Sequence, residues 1–263
     1  GPSSLVFVVS YSGNTEETLS AYKDAYERGA GIVVLTSGGR LGTLARQDRV
    51  PLVLVPGGIA PRAATGYLFL PMLVVLERLG LVSGVEAEVT EVVGILRGLR
   101  TRYGLDSFLL DNPAKQLAMN LQGHIPVIWG ASGTTEVVAQ RWKGQINENA
   151  KAPTYWNVLP ELNHNEIVGF EAPEELLSRM WLVFLRDRED HPQVQKRFEI
   201  SKDIIGSVAG VSEVSAVGNS HLARMFSLIY LGDYVSLYLA CRYGINPGPV
   251  KAIDYLKESL AVV

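Results

Sequence analysis

Small polar side chains cluster where an apolar run changes into a helical pattern, in the stretch VFVVSYSGNTEET (residues 6–18). Ser10, Ser12 and Thr15 carry hydroxyls there, and Gly13 allows a ligand to approach the main chain closely. The N–H groups of a helix's first turn and the helix dipole together favour an anion. Because hydroxyl and N–H donors suit the oxygens of a phosphate monoester, this turn predicts a phosphate site.

Helix capping is the alternative explanation for this turn. Asn14 as the N-cap residue, with Glu17 three residues later, would form a variant of the capping box. Capping accounts for one or two polar residues but not for four, and a phosphate can bind at a capped terminus, so both interpretations stay open. The sequence has neither the lysine of a Walker A loop nor a G-x-G-x-x-G motif, which disfavours a nucleotide as the ligand.

Four ionisable side chains elsewhere could move protons or stabilise charge. Arg62 follows a predicted strand, on the same sheet edge as the hydroxyl-rich turn, and its guanidinium is permanently charged. His164 follows another strand among polar neighbours, and histidine both donates and accepts protons near neutral pH. Glu148 lies near the end of a helix between two asparagines, and Lys257 lies in the last helical pattern. Taken alone, each pattern is explained at least as well by an ordinary surface residue.

Short apolar runs alternate with helical patterns almost throughout, which predicts an α/β fold with parallel sheets. Strands are predicted at 5–10, 31–36, 51–55, 125–129, 154–159, 180–185 and 212–217. Helices are predicted at 16–28, 65–79, 85–103, 134–145, 193–205, 222–243 and 251–260. We expect two units, 1–105 with connector helices and 106–263. The first would have only three strands, an incomplete sheet with an exposed edge.

Composition excludes several classes of protein. The 263 residues have a formal net charge of −3 and no run of lysine or arginine, so neither a nucleic acid nor a membrane surface is expected as a partner. Cys241 is the single cysteine, which excludes an internal disulfide and a multi-cysteine metal cluster and fits a reducing compartment. The longest apolar run, 68–76, is too short to span a bilayer, and no signal peptide is evident. We therefore expect a cytoplasmic protein.

Six segments in order resemble a known family. SYSGNTEET resembles the phosphate loop of sugar isomerase (SIS) domains, which bind phosphosugars. The others are TSGGRL (36–41), APRAA (60–64), INENAK (146–151), LPELNHNEI (159–167) and NPGPVKAIDYLK (246–257). Together they are similar to the bifunctional phosphoglucose/phosphomannose isomerases over nearly the whole sequence. The resemblance implies two SIS-type, flavodoxin-like units, the first incomplete, and a hexose 6-phosphate as the substrate.

The resemblance also implies a role for each candidate in aldose–ketose isomerisation, in which a proton moves between C2 and C1 through a cis-enediol(ate). The phosphate would be held by the hydroxyls of Ser10, Ser12 and Thr15. Glu148 would be the base, and Arg62 would stabilise the enediolate. His164 and Lys257 would assist ring opening, with His164 contributed across a homodimer. Neither a metal nor another cofactor is implied. Glucose and mannose 6-phosphates give the same enediol, so the resemblance implies activity on both.

Two departures from the family pattern keep other functions open. The family has a strand and a glycine/serine-rich loop before SYSGNT, and this sequence begins after that point. Val250 stands where the family can carry a threonine. A non-catalytic phosphosugar sensor is the main alternative to an isomerase, and a structural dimerisation module is a weaker one. A sensor would bind the sugar phosphate and be indifferent to Glu148→Gln.

Overall fold

The computed structural model describes residues 1–171, 173–206 and 208–260. The contacts within the chain divide it into two units, Gly1–Val85 and Glu86–Val263. Each unit contains one sheet, and every strand pair in both sheets is parallel. No helix in the described part of the chain is long and apolar enough to cross a membrane.

The first unit is built on a three-stranded sheet with the order β1-β2-β3. The strands are β1 (Leu5–Val9), β2 (Gly31–Thr36) and β3 (Leu52–Leu54), and the helices are α1 (Glu16–Glu27), α2 (Gly39–Gln47) and α3 (Thr65–Arg78). β2 is central, and its side chains from Ile32 to Thr36 are buried, whereas β1 and β3 are edge strands. The core cluster of this unit packs Val8 and Val34 of the sheet against Tyr22 of α1 and Leu41 of α2.

The second unit has a four-stranded sheet with the order β5-β4-β6-β7. The strands are β4 (Ile125–Ala131), β5 (Tyr155–Leu159), β6 (Met180–Arg186) and β7 (Gly210–Ser215). The helices are α4 (Val85–Tyr103), α5 (Pro113–Leu121), α6 (Glu136–Gln145), α7 (Glu174–Leu177), α8 (Pro192–Ile204), α9 (His221–Arg242) and α10 (Lys251–Leu260). This is the order of a doubly wound sheet, with its topological switch point between β4 and β6.

Two buried clusters cover the two faces of the second sheet. On one face, Trp142 of α6 packs against α9 and donates a hydrogen bond from Nε1 to the carbonyl of Leu228 at 2.9 Å. Gly232 of α9 permits this contact, because a Cβ there would lie 2.3 Å from the Trp142 Nε1 atom. On the other face, the rings of Trp129 and Phe184 stack at 5.3 Å. The long helix α9 is therefore fixed against the helix that follows β4.

The predicted α/β fold with parallel sheets and flanking helices is confirmed, and each predicted strand corresponds to an observed one. The division between the units differs from the predicted one at residue 105. From Glu86 onward α4 belongs with the second unit, because its Leu99 and Tyr103 enter the core cluster around Trp142. Helices α2, α5 and α7 were not predicted.

Candidate functional site

The turn at residues 10–15 leads from the carboxyl end of β1 into α1. The Ser10 and Thr15 hydroxyl oxygens lie 2.8 Å apart in one hydrogen bond, and the N–H of Gly13 donates to the Ser10 Oγ atom at 3.1 Å. The N–H of Asn14 donates to the Ser12 Oγ atom at 3.2 Å. Ser10 is buried, whereas Ser12 and Thr15 are exposed. The turn thus presents hydroxyl groups at the amino terminus of a helix.

The alternative interpretation of this turn, in which Asn14 caps α1, is wrong. Thr15 is the N-cap residue of α1, and its side chain makes no capping hydrogen bond to the helix. The Asn14 Oδ1 atom instead accepts the N–H of Arg40, at 3.0 Å, and so joins the turn to α2. Because neither side chain caps α1, N–H groups of its first turn are available to an anion.

A second loop, residues 36–40, interlocks with this turn. Gly13 has a φ of +67°, and a Cβ on it would lie 2.0 Å from the carbonyl oxygen of Gly38. Gly39 has a φ of +66°, and a Cβ on it would lie 2.3 Å from the carbonyl oxygen of Ser12. The N–H of Leu41 donates to the carbonyl of Gly13 at 2.9 Å. Only glycine fits either position, so the two loops support one another.

Replacing Gly13 by alanine should therefore loosen the turn. The side chain is strained at this φ and meets the Gly38 carbonyl, so we expect the free energy of unfolding to fall by about 2 kcal/mol or more. Urea denaturation followed by circular dichroism measures the change. Gly57→Ala is the matched control, because a Cβ there meets nothing within 4 Å. Equal unfolding midpoints for Gly13→Ala and the wild type would show that the interlock is not needed.

Arg62 lies in a short 3-10 helix, Pro61–Ala63, which follows β3. The segment between them is held by Tyr11, whose hydroxyl donates to the Pro56 carbonyl at 3.0 Å and accepts the N–H of Ile59 at 3.1 Å. Since β1, β2 and β3 are parallel, the 10–15 turn, the 36–40 loop and the Arg62 segment all lie at the carboxyl edge of one sheet. The structure therefore brings the predicted phosphate residues and Arg62 to the same edge.

Glu148 lies on a π-helical turn, Ile146–Ala150, that continues α6. Side chains on and before this turn anchor it: Gln145 Nε2 donates to Asp233 Oδ1 at 2.6 Å, and Asn149 Nδ2 donates to Ser236 Oγ at 2.9 Å. Asn147 Nδ2 donates to the Ala152 carbonyl at 3.0 Å. Single π-helical turns occur frequently at functional sites. The asparagines that flank Glu148 thus hold the turn that presents it.

The sequence interpretation missed the carboxylate beneath this turn. Asp233 of α9 forms an ion pair with Arg141 of α6 at 2.9 Å in addition to its bond with Gln145. Burial raises the pKa of Asp233, and Arg141 and Gln145 act in the opposite direction by stabilising its charged form. The signal in the sequence was available, because Asp233 is the only charged residue in the otherwise apolar run LIYLGDYVSLYLA.

A cleft of about 590 Å³ lies between the π-helical turn and the start of α10. Its lining is formed by Asn147, Glu148, Lys151, Ala152, Pro153, Asn246, Pro249, Val250, Lys251, Ala252 and Ile253. The cation that shares the cleft with Glu148 from α10 is therefore Lys251, at the first turn of that helix. Lys257, which the sequence interpretation selected, lies further along the same exposed helix.

His164 is exposed in a short 3-10 helix, Glu161–His164, that follows the carboxyl end of β5. Glu148 follows α6, which runs back from the end of β4 to the amino end of β5. The two side chains thus belong to opposite edges of the second sheet. At about 3.3 Å per residue, the five residues of β5 alone separate these edges by about 16 Å. Within one chain, Glu148 and His164 are not brought together.

The second unit has a corresponding turn between the end of β4 and the start of α6, at residues 131–136, and acidic side chains lie near this turn. Thr134 Oγ1 donates a short hydrogen bond to Asp190, which is buried, and burial raises the pKa of Asp190. Nearby, Arg224 Nε pairs with the buried Asp187 at 2.8 Å. The Thr134 hydroxyl is therefore engaged by a carboxyl group, whereas the Ser10 and Thr15 hydroxyls of the turn after β1 bond to each other. In the described residues, no group of three or more His, Cys, Asp or Glu side chains is placed to hold a metal ion.

Comparisons with known proteins identify relatives of this chain. The family described as "Bacterial phospho-glucose isomerase C-terminal SIS domain" matches residues 110–260. The bifunctional phosphoglucose/phosphomannose isomerase of Caldicellulosiruptor bescii is 52% identical over 260 residues, which cover 98% of this chain and 77% of that protein. The protein of the same name from Aquifex aeolicus is 38% identical, over 97% of this chain and 76% of its own length. The crystal structure of a glucose-6-phosphate isomerase like protein from Thermus thermophilus shares the fold, with a TM-score of 0.68 at 22% identity over 94% of this chain and 76% of that chain.

Proposed function

This chain belongs to the bifunctional phosphoglucose/phosphomannose isomerase family, and from that premise we propose that it interconverts glucose 6-phosphate and mannose 6-phosphate with fructose 6-phosphate. The observation that carries the proposal is the uncapped, hydroxyl-lined amino terminus of α1. It is a site for a phosphate monoester in a family whose named substrates are phosphosugars.

The 6-phosphate is held in this proposal by the turn after β1. Its oxygens accept hydrogen bonds from the hydroxyls of Ser10, Ser12 and Thr15 and from first-turn N–H groups of α1. The positive end of the α1 dipole adds a favourable charge interaction. The interlock of Gly13 with the 36–40 loop supports the proposal, because it fixes the turn before the ligand arrives.

Glu148 is the proposed base of the isomerisation. Its carboxylate takes the proton from C2 of the open-chain aldose, the electron pair of the broken C–H bond forms the C1–C2 double bond, and the O1 carbonyl becomes the negatively charged oxygen of a cis-enediolate. The O2 hydroxyl proton then passes to O1, protonated Glu148 gives a proton to C1, and the carbonyl that forms at C2 makes the product fructose 6-phosphate. Arg62 stabilises the negative charge that develops on the enediolate. Glucose and mannose 6-phosphates differ only at C2, so both pass through this intermediate.

Ring opening is assigned to His164 and Lys257, and the active form is proposed to be a homodimer. The separation of Glu148 and His164 on opposite edges of the second sheet supports this assembly, since one chain does not bring them together. In the dimer, the partner subunit's His164 serves the Glu148 of the first subunit. Neither a metal nor another cofactor is part of the proposal, and the cytoplasm remains the predicted location.

The test of the proposed function is a coupled assay that detects fructose 6-phosphate, supplied separately with glucose 6-phosphate and mannose 6-phosphate. We expect turnover of both substrates. The alternative sensor would give no product from either hexose phosphate, while each ligand would still raise the melting temperature through binding to the native state. That combination would overturn the isomerase assignment.

Loss of a phosphate-turn hydroxyl should weaken substrate binding more than it slows the chemical step. A hydrogen bond to a charged group contributes about 1.5–3 kcal/mol, so Thr15→Val should raise KM by about 10–100-fold with a smaller change in kcat. Steady-state kinetics with glucose 6-phosphate measure both constants. Thr90→Val on α4 is the matched control, because Thr90 is also exposed and its hydroxyl bonds only within its helix, to the Glu86 carbonyl. An unchanged KM for Thr15→Val would remove the turn from the binding site.

A further inference from the structure

One lysine joins the two walls of the cleft beside Glu148. The Lys151 Nζ atom donates to the carbonyl oxygen of Glu148 at 2.6 Å and to the carbonyl oxygen of Pro247 at 3.1 Å. Glu148 lies on the π-helical turn, and Pro247 lies on the 246–250 loop that leads into α10. A single ammonium group therefore ties the peptide that carries the proposed base to the loop that brings Lys251 to the cleft.

The backbone conformation of Lys151 is one that residues with a side chain rarely adopt, which makes the presence of lysine at this position informative. Its φ is +54°, the left-handed conformation that ends many helices and that glycine or asparagine adopts most easily. Among the described residues, the other non-glycine position with a positive φ is Arg49, at 58°. Glycine at position 151 would satisfy the backbone with less strain but would leave both carbonyls without the ammonium. Lys151 therefore has a strained backbone conformation, and its ammonium group bridges the carbonyl oxygens of Glu148 and Pro247.

We propose that Lys151 is a positioning residue for the isomerisation, acting through Glu148 and the 246–250 loop. The inference rests on the proposed function, because it assigns Lys151 a part in presenting that reaction's base. The carboxylate of Glu148 belongs to the same residue whose carbonyl the ammonium holds. A displacement of a catalytic group by about 1 Å can lower the rate about 100-fold. Releasing the bridge lets the turn and the loop shift independently.

Three variants test the role. Lys151→Met keeps an unbranched side chain, one atom shorter, without its charge, Lys151→Gly relieves the backbone strain, and Lys151→Arg keeps a donor for both carbonyls. We expect Lys151→Met and Lys151→Gly to lower kcat by about 10–100-fold, with KM for glucose 6-phosphate within about threefold of wild type, because other residues hold the phosphate. Lys151→Arg should recover most of kcat. The melting temperature of Lys151→Gly should lie closer to that of the wild type than the melting temperature of Lys151→Met does, because both variants lose the bridge and only glycine relieves the backbone strain.

Arg49→Gly is the matched control. It makes the same backbone change at the other strained position, which follows α2 at the opposite edge of the first sheet from the phosphate turn. We expect its kcat and KM to equal those of the wild type. A fall in kcat for Arg49→Gly equal to that for Lys151→Gly would assign the effect to backbone loosening in general and overturn the positioning role.

Amide hydrogen exchange separates this proposal from the proposed function, because it needs no turnover. Peptides that cover 146–150 and 246–250 should exchange faster in Lys151→Met than in the wild type, and Lys151→Arg should restore slow exchange. Wild-type kcat in both Lys151→Met and Lys151→Gly would overturn the proposal. So would unchanged exchange in the two segments. An absence of product with the wild type itself would instead overturn the isomerase function, whatever the exchange shows.

Discussion

Glu148→Gln is expected to lower kcat for both hexose 6-phosphates by about 10²–10⁴-fold, the usual contribution of a general base. Glutamine has nearly the same shape as glutamate but cannot accept the C2 proton. The anchors of the π-helical turn, Gln145 to Asp233 and Asn149 to Ser236, do not involve the Glu148 side chain, so the turn should persist. The measurement is steady-state turnover of glucose 6-phosphate and of mannose 6-phosphate.

Binding should survive this substitution because the 6-phosphate is held by the turn after β1. Glucose 6-phosphate should raise the melting temperature of Glu148→Gln as it does that of the wild type. Glu175→Gln is the matched control: Glu175 is an exposed glutamate of the same unit and its carboxylate faces Arg179, so the loss of its charge should leave kcat unchanged. Wild-type kcat in Glu148→Gln would show that another group is the base.

Two inactive variants are expected to form active enzyme together. Glu148→Gln and His164→Asn each damage every site of their own homodimer. In a heterodimer of the two, one site has both substitutions and the other has both native side chains. With random pairing, half of the dimers are heterodimers with one intact site of two, so co-expression should restore about a quarter of wild-type kcat.

The control for this complementation is co-expression of Glu148→Gln with the double variant Glu148→Gln/His164→Asn, which creates no intact site. Its activity should stay at the level of Glu148→Gln alone. Separately tagged chains purified in sequence isolate the heterodimer and fix its amount. An isolated heterodimer as inactive as its parents would contradict the contribution of the partner subunit's His164.

Much of the fold was predictable because parallel strands that are buried on both faces have sequences that are short runs of Val, Ile and Leu. The strand-to-helix alternation also places each loop, since segments that follow strands and segments that follow helices belong to opposite sheet edges. This reasoning placed Arg62 on the same sheet edge as the turn after β1. Helix α2 was not predicted, because Gly39 and Gly42 within its nine residues weaken the helical pattern.

The details that the sequence did not predict depend on contacts between distant residues. Asn14 suggested a local cap, but its side chain accepts the N–H of Arg40 in the next loop instead. Asp233 bonds to Gln145 and Arg141 of α6 and so joins the helix before the π-helical turn to α9, far along the chain. The periodicity of either helix does not predict that pairing. The bridge made by Lys151 likewise needs the Pro247 loop to fold beside it. Local pattern selected the candidate groups, and contacts between distant residues determine where the structure places them.

In the proposed mechanism, one enediol intermediate, formed and consumed at a single base, connects the three hexose 6-phosphates. The most direct measurement follows fructose 6-phosphate with the wild-type protein in deuterium oxide by nuclear magnetic resonance. We predict that glucose 6-phosphate and mannose 6-phosphate both form and that both carry deuterium at C2, because a proton held on a carboxylate exchanges with the solvent. Glu148→Gln should abolish both signals together. Formation of neither aldose by the wild type, or of both with only protium at C2, would contradict the account.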